Sequence, residues 1–376
     1  MVKCFVQVSC LKPIGLDGEL SGCRVGWALV VDAVKGLVLV SRLTIPFNLC
    51  DIAIAIAESI RVEGRVVFSH PFQNHAIIKY DPSYVRAPVE AAKLSNKPIR
   101  QGQEDIFFGF NGHQRPLTAK TSITDISACK IPPDVKAPHY RAININAISV
   151  DTRVSNWCST GVFMSDDGTI EALWLPFSGP FDKSKRSSYN FGLATYFIRG
   201  VVKKVSTGQI LNPRMLNMEA KPILKDKASV LGVSEEWIQK MTENPHRHEF
   251  FIISKVFSLP PSVQCKLVLE EGDVILTLND RPIFCLSEFG TLYSDEYVDA
   301  LVVRQGQEMS LKVLTVPFND LEIDQVVVFC GAVLQKPHLA VRQQLSKLHS
   351  EVYVSTYVSI ISLFALKPRQ ADIEIV

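Results

Sequence analysis

The sequence lacks a long hydrophobic run. Its most apolar stretch, residues 352–366, is interrupted by serines and a threonine and is shorter than the roughly twenty apolar residues that a membrane-spanning helix requires. The beginning of the chain is interrupted in the same way by Gln7, Ser9 and Lys12, so the sequence predicts no signal peptide. We therefore expect no membrane partner.

An excess of one charge is also lacking, because 40 lysines and arginines balance 38 aspartates and glutamates. With a formal net charge of +2, no overall field attracts nucleic acid, and we expect no nucleic-acid partner. The nine cysteines are odd in number and never occur as Cys-x-x-Cys, which argues against a disulfide framework or a zinc site. This cysteine usage predicts a reducing compartment and no metal.

The first half of the sequence contains short β-branched runs that are separated by turn residues. Regularly spaced strands without helices between them predict an all-β barrel or sandwich. The predicted strands cover residues 25–31, 36–40, 52–57, 65–69, 76–80, 106–110 and 121–126.

The pattern changes from strands to a helix near residue 191. Phe197, Val201 and Val202 have roughly helical spacing, and the run stops at Gly208. A glycine after the last periodic residue is a typical helix end. We therefore predict a helix that closes the first domain.

Two further units follow in the sequence. The first has a predicted helix at 234–241 and a predicted strand at 250–256 around a Gly-Asp turn, which fits a small mixed α+β module. The second has helix-like spacing at 338–348 and reads as the opening of another such module.

The segment 150–163 contains Ser159 within Trp-Cys-Ser-Thr-Gly, and an Asp-Asp-Gly turn follows at 166–168. This segment resembles the nucleophile loop of the HtrA serine proteases. No gap is needed to place Ser159 at the nucleophile position. In order and spacing, further landmarks extend the resemblance over about residues 22–208.

Two upstream segments resemble the strands that carry the other triad members in this family. Residues 36–45 resemble the histidine strand and place Leu43 at the general base, and Asn74 stands at the position of the orienting acid. A serine nucleophile needs a base, and the base needs a third group. The resemblance therefore implies an incomplete triad, and Trp157, at a family glycine, implies a damaged oxyanion hole.

Nearby side chains offer substitutes for the missing groups. His70 and His75 flank Asn74, but alternation along a strand predicts that His75 faces away from Asn74. We interpret both histidines as exposed or partly buried polar residues. Cys158 has no base beside it and is interpreted as a small buried residue.

Residues 267–279, with the Gly-Asp turn before an Ile-rich strand, resemble the PDZ signature. The basic cluster of His246, Arg247 and His248 stands where PDZ domains place the loop that captures a peptide carboxylate. The alternative interpretation is a solvated turn before a core strand. The resemblance assigns peptide binding to Glu249, Phe250, Phe251 and Ile252.

Together, these resemblances imply a mainly β protein with a trypsin-like double β-barrel followed by PDZ-like α+β modules. The implied domains are a degenerate protease domain at 1–210, a PDZ-like domain at 215–318 and the truncated start of a second PDZ-like domain at 319–376. The chain is similar to the C-terminal half of the fungal nuclear pro-apoptotic subgroup, which repeats the protease and PDZ unit.

The resemblance leaves three functions open. The first is a pseudoprotease barrel with peptide-binding or scaffolding modules, and the second is an active serine endopeptidase, through an intact unit elsewhere or an unrecognised base. The third is a peptide-binding adaptor with a purely structural barrel. The implied partners are peptides or unfolded segments, other units of the same protein and possibly a second copy.

The resemblance also implies no cofactor and a location in the nucleus, or in the nucleus and cytoplasm. The short basic run at 183–186 is compatible with nuclear import, although it is shorter than a persuasive import signal and a solvated loop is the favoured interpretation.

Overall fold

The structure of the protein is a computed structural model that describes most of the chain. The described residues are 2–17, 19–57, 59–70, 72–129, 145–182, 185–209, 214–243, 249–256, 269–290, 293–317, 322–337, 341, 350–357 and 373–375. The basic cluster at 246–248, the first half of the run at 183–186 and nearly all of the predicted helix at 338–348 lie outside these residues. Within the described ranges, no helix is both long and apolar enough to cross a membrane.

The first barrel closes in the order β1-β2-β3-β6-β5-β4, with antiparallel neighbours throughout. Its interior is filled by β-branched side chains that alternate along the strands, as in Asp51–Ile56, where every second residue is buried. The strands are β1 (Phe5–Lys12), β2 (Gly22–Asp32), β3 (Leu37–Val40), β4 (Asp51–Ile56), β5 (Ile60–Ser69) and β6 (Ala76–Tyr80).

The second barrel closes in the order β10-β11-β12-β9-β8-β7. Its strands are β7 (Glu104–Asn111), β8 (Pro116–Cys129), β9 (Ile145–Val150), β10 (Cys158–Met164), β11 (Ile170–Asp182) and β12 (Lys185–Ala194). Two closed barrels confirm the predicted mainly β, double-barrel fold. Each strand predicted in the first half of the chain overlaps an observed strand.

The two barrels share one hydrophobic core. Leu39, Phe68 and Ile77 of the first barrel belong to the same buried cluster as Leu173 and Leu175 of the second. At the edge of this cluster, the rings of Trp27 and Phe110 stack with centroids 3.7 Å apart. The joint between the barrels is therefore apolar and well packed.

The predicted helix after the second barrel is confirmed as α1 (Thr195–Ser206). Ile198 and Val202 are buried on its inner face, which matches the helical spacing of the sequence. The Thr195 hydroxyl donates a hydrogen bond of 2.6 Å to the Ile170 carbonyl and so fixes the start of the helix on β11.

A seven-stranded sheet follows, in the order β13-β19-β18-β16-β15-β14, with β17 paired to β16. Two helices cover one side of it, and the predicted helix at 234–241 is confirmed to within one residue. The elements are β13 (Arg214–Leu216), β14 (Met218–Ile223), α2 (Lys225–Val230), α3 (Glu235–Thr242), β15 (Phe250–Val256), β16 (Val274–Leu278), β17 (Arg281–Pro282), β18 (Tyr297–Arg304) and β19 (Gln307–Pro317).

This seven-stranded sheet contacts both barrels through a short 3-10 helix, Leu286–Gly290. The Ser287 N–H donates to the side-chain oxygen of Asn146, and the Ser287 hydroxyl accepts from the Asn146 N–H, at 3.0 Å each. The Gln73 side chain of the first barrel donates to the Ser287 carbonyl at 3.4 Å. Ser287 is therefore a three-way contact between the sheet and the two barrels.

A four-stranded sheet ends the described chain, in the order β22-β21-β20-β23. Its strands are β20 (Val326–Phe329), β21 (Ala332–Gln335), β22 (Tyr353–Tyr357) and β23 (Ile373–Ile375). Val326, Val328 and Val333 are buried in the same cluster as the interior of the first barrel. The four-stranded sheet thus packs on the first barrel.

Candidate functional site

Ser159 lies at the beginning of β10, and its side chain is exposed. The pairing of β10 with β7 shifts register between Cys158 and Thr160, so Ser159 is the extra residue of a β-bulge. A 3-10 helix, Arg153–Trp157, leads into the strand and is capped by the Thr152 hydroxyl. Among the described residues, no side chain forms a hydrogen bond with the Ser159 hydroxyl.

The residues before Ser159 follow regular backbone geometry. None of residues 152–160 has a positive φ, and the Cys158 N–H is already used by the Ser155 carbonyl. The Trp157 side chain is 66% exposed and projects into solvent. An oxyanion hole needs free backbone N–H groups that converge on one point. The backbone at Trp157 therefore lacks the left-handed geometry that a glycine at this position would allow.

Leu43 occupies the position predicted for the general base. It is half-buried in the turn after β3, and its carbonyl accepts a hydrogen bond of 2.6 Å from the Arg24 guanidinium. Its N–H donates to the Ser41 hydroxyl oxygen at 3.1 Å. A hydrocarbon side chain has no atom that can accept a proton, so this position contributes only backbone contacts.

Asn74, at the predicted position of the acid, is completely buried and fully hydrogen-bonded. Its side-chain oxygen accepts from the Ser41 hydroxyl at 2.9 Å, and its side-chain nitrogen donates to the Pro176 carbonyl at 2.5 Å. Pro176 belongs to β11 of the second barrel, so the Asn74 amide connects the two barrels. An amide carries no charge and cannot stabilise an imidazolium ion as a carboxylate does.

Arg42 is a buried cation beside the base position that sequence reasoning missed. Its guanidinium forms a two-point ion pair with the Glu322 carboxylate, at 2.7 and 2.9 Å, and the two side chains are 4% and 8% exposed. It also donates to the carbonyls of His70 and Pro46 at 2.9 Å each.

His70 and His75 are completely buried, so the expectation of exposed or partly buried side chains was wrong. Their rings lie 5.0 Å apart, and the His70 Nδ1 accepts the N–H groups of Phe72 and Gln73. Among the residues that the structure describes, neither ring nitrogen of His75 has a hydrogen-bond partner. Burial, the neighbouring His70 and the Arg42 charge hold the pKa of His75 well below its usual range.

Cys158 is buried, as the sequence indicated. Burial raises the pKa of its thiol to about 11, so the thiol stays protonated at neutral pH. Its carbonyl accepts a hydrogen bond of 3.2 Å from the Asn190 side chain. Cys158 is therefore a packing residue and not a nucleophile.

The prediction that Glu249, Phe250, Phe251 and Ile252 bind a peptide strand is corrected by the sheet order. The strand β15 lies between β14 and β16, with Phe251 opposite both Pro222 and Ile275. Phe250 and Phe251 are also completely buried. A peptide can join a sheet only at a free edge, which in this part of the described chain belongs to β14.

No metal centre is present among the described residues, since none of them form a group of three or more His, Cys, Asp or Glu side chains that could hold an ion.

Two closed six-stranded barrels that pack against each other, with Ser159 at the start of a strand of the second barrel, form a trypsin-like double β-barrel. Among solved structures, the chain is similar to the HtrA-type protease AlgW with a tripeptide, with a TM-score of 0.55 and 17% identity over 84% of this chain and 94% of that chain. A variant of AlgW with a tripeptide gives a TM-score of 0.53 at 16% identity, with the same coverage.

Curated relatives are much closer in sequence. The chain is 52% identical over 358 residues to the pro-apoptotic serine protease NMA111 of Coccidioides immitis, and 52% identical over 359 residues to that of Neosartorya fischeri. The matches cover 94% of this chain but only 35% of each relative, so the chain spans about a third of their length. No family model matches the chain. In sequence the chain is similar to about a third of these serine proteases, and its fold is that of the HtrA-type proteases.

We predict that His75 makes the stability of the protein sensitive to mild acid. Its folded pKa lies below the unfolded value of about 6.5, so the unfolded state binds more protons as the pH falls. The contribution of the neutral imidazole to the free energy of unfolding is fully present above about pH 6.5. It is lost as the pH falls below that value, by about 1 to 2 kcal/mol between pH 6.5 and 5. Denaturant unfolding at both pH values measures this loss.

The variant His75→Leu should abolish this part of the pH dependence, because an apolar side chain leaves no partner unsatisfied at this site. The exposed residue His113 provides the control, and His113→Asn should keep the dependence of the original protein. An equal loss in all three proteins would show that His75 does not titrate on unfolding.

Proposed function

We propose that the double barrel of this chain is a pseudoprotease, a protease fold that serves binding and assembly instead of peptide hydrolysis. The proposal rests on the contacts that the residues at the predicted triad positions make in the structure. Leu43 offers no proton acceptor, and Asn74 is committed to Ser41 and Pro176 by two hydrogen bonds. Ser159 is left exposed without an activating partner among the described residues.

The loss of rate that follows from a missing general base supports a barrel without catalytic activity. Removing the base of a serine protease triad lowers kcat on the order of a millionfold, and the remainder comes from the oxyanion hole and from substrate binding. Here none of residues 152–160 has a positive φ, so the backbone at Trp157 keeps regular geometry. This geometry does not favour an oxyanion hole.

The seven-stranded sheet is proposed as the peptide-binding part, a PDZ-like module. Its edge strand β14 has only β15 as a strand neighbour in the described chain, and the 3-10 helix Leu286–Gly290 lies against it. A strand edge beside a helix is the arrangement that accepts an extended peptide. Structures of the similar protease AlgW hold a tripeptide, which supports a peptide as the ligand.

The wider role follows from the relatives and is also a proposal. They are named pro-apoptotic serine proteases, and this chain corresponds to about a third of their length. We propose that such a chain supplies binding and regulatory contacts to an active protease unit, in the nucleus or in the nucleus and cytoplasm. The alternative is an active endopeptidase, through an intact unit outside this region or through an unrecognised base in this barrel. A probe experiment on this chain separates the second of these from the proposal.

Incubation with a fluorophosphonate probe tests directly whether Ser159 is an activated nucleophile, because such probes react with activated serine hydroxyls. We expect no labelling of Ser159 and no cleavage of unfolded casein, with the same result for Ser159→Ala. Trypsin in parallel shows that the reagents work, and circular dichroism shows that the protein is folded. Labelling and cleavage that both disappear in Ser159→Ala would contradict the pseudoprotease proposal.

Peptide binding is tested by hydrogen–deuterium exchange with a hydrophobic tripeptide that has a free carboxylate. We expect slower exchange of the amides in β14, because a peptide strand would pair with its open edge. The same peptide with an amidated end is the matched control and should protect these amides less. Protection confined to β15, or none at either strand, would contradict the assignment of the binding edge.

A further inference from the structure

The guanidinium of Arg42 connects two loops that carry the degenerate triad positions. It donates to the Pro46 carbonyl in the turn that contains Leu43, and to the His70 carbonyl in the loop that contains Asn74. The hydrogen bond between the Ser41 hydroxyl and the Asn74 side chain joins the same two loops a second time. Both loops are therefore ordered around one buried cation.

The counter-charge for this cation comes from a distant part of the chain. Glu322 lies 280 positions after Arg42 and contacts it through both carboxylate oxygens. Both side chains are nearly inaccessible to water, so each depends on the other for compensation of its lost hydration. The order of the two loops thus depends on a residue that belongs to neither barrel.

The same C-terminal region contacts the first barrel at a second polar point. Asp17 is buried, and its carboxylate accepts hydrogen bonds from the Gln335 side chain at 2.8 Å, the Tyr353 hydroxyl at 2.6 Å and the Ser355 hydroxyl at 3.0 Å. The Asp17 N–H donates to the Ser355 hydroxyl oxygen at 3.0 Å. All three of these side-chain donors belong to strands of the four-stranded sheet.

Apolar side chains fill the space between these two polar contacts. Val326, Val328 and Val333 are at most 1% exposed and belong to the same buried cluster as Ile14 and Ile45 of the first barrel. Burial of this kind stabilises the contact in proportion to the apolar area removed from water. The polar and apolar contacts together make one continuous interface.

We propose that residues 322–335 and 350–357 form a latch on the first barrel, which controls the order of the degenerate site. With the latch seated, Glu322 neutralises Arg42, and the two loops around Leu43 and Asn74 are fixed. With the latch released, the buried guanidinium lacks its counter-charge and draws water into the site, so both loops open while the barrel strands stay paired. A partner that displaces the latch thereby changes the surface that the pseudoprotease barrel presents.

Hydrogen–deuterium exchange of the complete chain, read by mass spectrometry, tests this latch without any need for enzymatic activity. The variant Glu322→Gln keeps the shape of the side chain and removes its charge. We expect exchange at residues 41–46 and 70–75 to become about a hundredfold faster, the factor that corresponds to the lower range for losing one partner of a buried ion pair. The strands β1 to β6 should exchange as in the original protein.

The exposed residue Asp324 is the matched control, because Asp324→Asn removes the same charge from the same segment without a buried contact. It should leave the exchange at 41–46 and 70–75 unchanged. Equal exchange in Glu322→Gln and the original protein, or equal acceleration in both variants, would overturn the proposal.

A second variant keeps the test decisive if Glu322→Gln does not fold. Asp17→Asn weakens the opposite end of the interface, where the Asp17 carboxylate accepts hydrogen bonds from Gln335 and Tyr353. If the latch acts as one unit, this variant also accelerates exchange at 41–46 and 70–75. Acceleration confined to the Asp17 loop and β22 would overturn the proposal.

Discussion

The buried guanidinium of Arg42 is the interaction on which the candidate site depends. A desolvated cation is costly unless it is paired, and Arg42 is paired with the Glu322 carboxylate and also donates to the carbonyls of His70 and Pro46. The turn after β3 and the loop before β6 are therefore held in place by a structural charge. In a working protease these two loops would present the base and the acid.

Hydrogen bonds at and beside the predicted triad positions connect different domains of the molecule. Asn74 uses both ends of its amide to connect the turn after β3 with β11 of the second barrel. One residue earlier, Gln73 contacts Ser287 of the seven-stranded sheet. The residues at these positions thus hold the barrels and both additional sheets together, which supports the proposal of a barrel that serves binding and assembly.

The sequence predicted the features that depend on local pattern. Alternation located the strands and helical spacing located α1 and α3, whereas the assignment of Leu43, Asn74 and Ser159 to the triad positions stays a prediction. The sequence did not predict features that depend on distant partners. The pairing of β15 on both sides, which removed its binding edge, is set by residues such as Ile275, and the complete burial of His75 is a tertiary feature that alternation along one strand does not show. No local signal could reveal a contact between residues 280 positions apart.

The free energy of unfolding of Asn74→Ala, compared with that of Ser159→Ala, tests most directly whether the triad positions now serve structure. Removing the Asn74 side chain leaves the Ser41 hydroxyl and the Pro176 carbonyl without their partner, so we expect a loss of about 1 to 3 kcal/mol. Ser159→Ala at an exposed position should change stability by no more than about 0.5 kcal/mol. A stability unchanged by Asn74→Ala, or a larger loss in Ser159→Ala, would contradict this account.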